Sequence, residues 1–160
     1  MPLGTARAAL DYARAVFLEK TNSQTGQAWK DHTGPSSFWS VRDGYLTIRH
    51  AVYGSLEHKW QLPQRGCYNP DLTPDERVGS VLIALKAFRE SLSIVRRLYD
   101  LLATASIYKP SLLDRSMRDL TTMCQHVMAQ DVIVQSAVPT SSAESRAFLS
   151  RWASPNEPRA

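Results

Sequence analysis

A chain of 160 residues has the length of a single domain. With 43% hydrophobic and 21% charged residues, it falls outside the low-apolar, highly charged class that stays disordered. The 19 basic and 15 acidic side chains give a net charge of +4, but Arg7, Arg14, Arg42, Arg49, Arg89, Arg96 and Arg97 are scattered in ones and twos, so no nucleic-acid surface is expected.

No apolar run approaches bilayer length, and the first twenty residues carry charge on every turn, so neither a membrane span nor a secretory leader is expected. Cys67 and Cys124 stand far apart, one in a loop signal and one in a helical pattern. Two such cysteines fit reduced thiols in a cytoplasmic setting better than a disulfide scaffold.

Taken in chain order, the first element is an amphipathic helix over residues ~5–20, with Thr5 as N-cap and Ala6, Ala9, Leu10, Ala13, Val16 and Phe17 at helical spacing. "TNSQTGQAWKDHTGPSS" follows as a long surface loop. Val41, Tyr45, Ile48, Val52 and Leu56 then step by three or four, which predicts a second helix from Ser37 to about Gln61. "LPQRGCYNPDL" breaks that pattern with Pro63, Gly66 and Pro70.

"TPDE" is a helix start: Thr73 at the N-cap, Pro74 where its missing N–H does no harm, and Glu76 completing a capping box. The stripe Val78, Val81, Leu82, Leu85, Phe88, Leu92, Val95, Leu98, Leu102 predicts a third helix of about 45 Å at 1.5 Å per residue. A fourth begins near Ser111 and carries Leu113, Met117, Leu120, Met123, Cys124, Val127 and Ile133 as far as Pro139. "SRAFLSRW" predicts a short fifth helix before a flexible tail. The fold expected is all-α, an antiparallel up-and-down four-helix bundle over residues 1–138, with a short extra C-terminal helix and tail over 139–160.

His50 and His58 lie eight apart on one helix, too far to share an ion, and Glu57-His58 are adjacent and point to different sides, so no metal site is expected. Cys124 shares a face with Leu120 and Val127 and reads as a small buried hydrophobe. His126 stands at the edge of that stripe, two turns from Arg118-Asp119, where either a core-edge histidine or a proton-transfer group fits. Trp29, Phe38 and Trp39 in or beside the first loop form a plausible partner surface.

"SLLDRSMRDLTTMCQHVMAQDVIVQSA", after a very long helix and "LYDLLATASIY", resembles the C-terminal helical domain of the acyl-CoA dehydrogenase family, in particular its flavin-dependent monooxygenase branch. The matching residues are Leu113, Arg115, Arg118, Asp119, Gln125 and His126. The opening "LGTARAALDYA" resembles the first helix of the same domain, so the likeness runs over residues ~3–137.

The resemblance implies a bundle that forms one wall of a flavin and substrate pocket and takes part in oligomerisation. It implies that His126 is catalytic, moving a proton near the flavin ring, and that Arg118, Asp119 and Gln125 help to bind the cofactor. Neither carboxylate that abstracts the α-proton in true dehydrogenases has a matching position, so an autonomous dehydrogenase is not expected. The family's N-terminal helical domain and β-barrel have no counterpart in these residues, so FAD or FMN is expected only with a partner chain and none on the isolated chain. Two functions are therefore expected in turn: part of a flavin-dependent oxidoreductase that works with a flavin-binding partner, as a homo-oligomer or hetero-complex, or a stand-alone helical oligomerisation or flavin-independent protein reusing the bundle crevice.

Overall fold

The computed structural model describes residues 2–19, 34–64, 74–108 and 110–126, together with positions 21, 26, 66, 129, 130, 132 and 133. Among the described residues there are five helices: α1 (Pro2–Glu19), α2 (Gly34–Gln64), α3 (Pro74–Leu102), α4 (Thr104–Ile107) and α5 (Leu112–Cys124). Among the described residues there is no strand, and the fold is all-α. No described helix is long and apolar enough to cross a membrane.

α1 starts earlier than Thr5, with Pro2 in its first turn, a position where a residue lacking an N–H disturbs no helical hydrogen bond. Its inner face is Ala6, Ala9 and Ala13, all fully buried, with Leu10 and Phe17. Methyl side chains let the neighbouring backbone come close, because interhelical distance follows the size of the residues at the contact. α1 accordingly lies closely along α3 as well as touching α2 and α5.

The third helix is the hub. α3 packs against α1, α2 and α5, and its inner face supplies Ile94, Val95, Leu98 and Leu102, each almost or completely buried. α2 adds Val41, Tyr45 and Ile48, and α5 adds Leu113 and Leu120 to the same core. Three contacts relate the helix ends: Phe17 of α1 meets Phe38 of α2 edge-on at 5.6 Å, Arg97 of α3 donates to the Ser40 Oγ of α2 at 3.1 Å, and Cys124 of α5 meets the middle of α3. The last turn of α1 and the last turns of α3 thus both lie beside the start of α2.

The stripe on α2 departs from expectation at its lower end. Val52 is half-buried and Leu56 is 57% exposed, because the helix runs on to Gln64 beyond the reach of the shared core. Leu82 on α3 is likewise exposed, whereas Ala87 and Ser91 are buried.

The chain leaves α3 at Ala103, whose φ of 48° lies in the left-handed region that a Cβ disfavours. The turn is held by Ala103 N–H donating to Asp100 O and by both the backbone N–H and the buried Oγ of Ser106 donating to Ala103 O. It produces the single-turn helix α4, which periodicity alone does not predict.

α5 begins as expected. Ser111 is the N-cap, with extended backbone and an Oγ that accepts from the Asp114 N–H at 3.3 Å. It ends sooner than expected, at Cys124, and the rest of the stretch expected to run on to Pro139 lies largely outside the described residues. Gln125 N–H turns back to Thr122 O and His126 N–H to Met123 O, both i to i−3 bonds that tighten and close the last turn. The expected fifth helix, the tail, the first loop with Trp29, and Val127 and Cys67 lie outside the described residues.

Candidate functional site

The polar face of α5 follows from its spacing. Leu113, Ser116 and Leu120 turn inward, which leaves Arg115, Arg118, Asp119 and Thr122 outward. Arg118 pairs with Asp114 at 3.3 Å and Arg115 with Asp119 at 3.6 Å, so Arg118 and Asp119 each belong to an i,i+4 ion pair along this face. Thr121 and Thr122 donate their hydroxyls to Met117 O and Arg118 O, which spares the outer face unsatisfied hydroxyls.

Gln125 and His126 sit just past the helix, both exposed, in the turn that sends the chain back towards α3. His126 O accepts from Ala129 N–H at 2.8 Å, and the Gln130 side-chain amide donates to Cys124 O at 2.7 Å. The turn is therefore fixed by hydrogen bonds on both sides of the histidine. Arg118, Asp119, Gln125 and His126 share the outward side of α5 and its terminal turn, with no described element packed over them.

Beside this wall, on its α3 side, lies an open crevice of about 320 Å³. Arg89, Ser93, Arg96, Arg97 and Asp100 line it from α3, and Cys124, Ala129 and Gln130 from the end of α5 and the turn beyond. None of the four residues expected from sequence lines this crevice.

Cys124, expected in the core, is half-buried and stands at the crevice edge, its thiol donating to Phe88 O at 3.6 Å. Burial pushes its thiol up from the ordinary value, with Arg89 pulling the other way. Three arginines at i, i+7 and i+8 mark one face of α3, and that spacing is visible in the sequence once the helix is drawn. Their clustering was hidden because each sits alone or in a pair along the chain.

An all-α unit with an exposed polar wall along α5 and its terminal turn is the class that fold and site define. The model of the acyl-CoA dehydrogenase C-terminal domain matches residues 1–131, and the chain belongs to that family. Among curated proteins none matches the chain.

Proposed function

We propose that this chain is the helical wall of a flavin-dependent oxidoreductase, closest to the monooxygenase branch, and that a partner chain supplies the surface opposite. The observation that carries the reading is the exposed outward side of α5 and its terminal turn, which presents the guanidinium of Arg118 on the helix and the amide of Gln125 and imidazole of His126 just past it, within the stretch matched to the family's C-terminal domain. That donor set suits a flavin, whose ring carbonyls accept hydrogen bonds and whose phosphate favours arginine. Arg118 and Gln125 would hold the group, and Asp119, through Arg115, would keep the charges on this face in place. When bound, a flavin supplies the electron transfer.

His126 is the residue of this chain that would hold and move a proton. Its imidazole has both a donor and an acceptor nitrogen, and the turn bonded at His126 N–H and His126 O restricts where the ring can stand. Carboxylate chemistry is not needed for that step, in keeping with the monooxygenase reading over a dehydrogenase one.

The chain purified alone should be colourless, and co-purification with the flavin-binding partner should give a yellow complex with oxidoreductase activity. His126→Ala should leave the complex and its flavin intact while lowering turnover by about a hundredfold or more, the usual scale for a lost acid–base group. A yellow spectrum from the chain alone would overturn the requirement for a partner, and unchanged turnover would remove His126 from the site.

The stand-alone oligomeric reading is favoured by a different observation. Trp39, Tyr53, Leu56 and Trp60 on α2 are each more than half exposed, Trp60 reaching 71%. Contacts of that kind are used to build assemblies as a homo-oligomer or with a partner. A clean homo-oligomer on native mass spectrometry with no recoverable flavin-binding chain would support it.

A further inference from the structure

The outer face of α3 carries charges that the flavin reading leaves unused. Arg89, Ser93, Arg96 and Asp100 repeat at three- and four-residue steps on the side opposite the buried Ile94, Leu98 and Leu102. Arg97 stands at the edge of this face, where its guanidinium donates to Ser40 Oγ at 3.1 Å and is held against α2. On the other edge the turn after α5 closes in, anchored by Gln130 on Cys124 O. The result is an open crevice floored by α3 and bounded on one side by the end of α5 and the turn beyond it, in which three guanidinium groups meet one carboxylate.

We propose that this crevice binds a small organic phosphate, with its phosphoryl group held by Arg89 and Arg96 and steadied by Arg97. Guanidinium forks match phosphate oxygens in pairs and cannot lose their charge at ordinary pH, so a cluster of them selects a compact dianion. Three guanidinium groups against one carboxylate give the lining a positive balance that suits an anion. Leu92 and Ala129 offer an apolar surface for the organic part, and Asp100 can accept a hydrogen bond from a ligand hydroxyl. About 320 Å³ lies at the lower end of the roughly 300–1,000 Å³ of small-molecule pockets, enough for a phosphate ester and too little for a large cofactor. This site is separate from the outward side of α5 and does not depend on the flavin reading.

The test is a titration of the full chain with phenyl phosphate at low salt, followed by calorimetry and amide NMR, with peptide-resolved alkylation of Cys124 by iodoacetamide as a local reporter. Saturable one-to-one binding is expected, with amide shifts gathered over residues 89–100 and 124–130 and with Cys124 protected as the crevice fills. Replacing Arg89→Gln and Arg96→Gln together should weaken binding by about tenfold or more, the scale of a lost charge-assisted hydrogen bond. Arg96→Glu alone, at an exposed helix position that tolerates substitution, should weaken it similarly. Arg7→Gln, which removes a guanidinium paired with Asp11 on α1, should leave it unchanged. Binding that does not saturate, shifts located elsewhere, or equal affinity in the Arg89/Arg96 variant and the Arg7 variant would overturn the proposal.

Discussion

The thiol of Cys124 donates to the backbone carbonyl of Phe88 at 3.6 Å, joining the last residue of α5 to the middle of α3. A thiol is a weak donor, so the bond itself adds little. What it marks is the point where α5 stops and the turn carrying His126 begins, with the crevice on one side and the outward polar face on the other.

That position makes Cys124 a source of pH dependence. Burial raises its folded-state pKa above the ordinary value of 9.0, with Arg89 opposing in part. The folded chain then holds the proton more tightly than the unfolded chain, so its contribution to stability is complete below the unfolded value and is lost as pH rises through the folded one. Urea midpoints measured from about pH 8 to about pH 11 should therefore fall more steeply for the native chain than for Cys124→Ala. Parallel curves for the two proteins would show that the thiol does not titrate differently on folding.

Ala103 is the clearest strained position. At φ 48° its Cβ is disfavoured, and the residue is exposed, so no packing compensates within the side chain itself. Ala103→Gly should stabilise the protein by about 1 kcal/mol, with the relief of strain larger than the added freedom of the unfolded chain. Ala103→Val should do the reverse. Chemical denaturation reads both, and a Gly variant less stable than the parent would show that the turn carries no strain.

Ser91 is fully buried on the inner face of α3, and its Oγ has no hydrogen-bond partner among the described residues. A hydroxyl so placed has lost its hydration without a replacement, so Ser91→Ala should stabilise by up to about 1 kcal/mol. One helical position-set away, Leu98→Ala empties a fully buried site and should cost about 2–5 kcal/mol. If Ser91→Ala is instead as harmful as Leu98→Ala, the hydroxyl has a partner in solution.

Much of the fold was legible because its cues are local. The capping serine at Ser111, the proline at Pro74, the inward stripe of α1 and the later part of the α3 stripe, Val95, Leu98 and Leu102, rest on cues that act within one or two turns, and they stand where sequence places them. The end of α5 was not legible: Val127 and Ile133 continue a helical spacing, but backbone bonds at Gln125 and His126 close the helix, and no glycine or proline announces it. Leu56 shows the same limit from the other side, since periodicity reports which side of a helix a residue is on but not whether a neighbour reaches that far. The site was half legible. The polar residues of α5 could be read from its spacing, whereas the arginine face of α3 needed the turn after α5 to become a crevice, and that turn is a tertiary feature.

Arg118 separates a binding role from a structural one. Its ion pair with Asp114 is an exposed i,i+4 pair, with the Arg118 side chain 69% accessible, and such pairs contribute about 0.2–0.5 kcal/mol. Asp114 keeps its place without it, because its backbone N–H is already bonded to the capping Ser111. Arg118→Gln should therefore shift stability by no more than about 0.5 kcal/mol while the reconstituted complex retains less flavin, read as absorbance per chain after gel filtration. The amide keeps the side chain polar and of similar reach, so a loss of flavin reports the missing charge and not a void. Full flavin retention with unchanged stability would leave Arg118 as an ordinary solvated residue, and a large drop in stability would make it structural; only the split between the two readouts assigns it to the pocket.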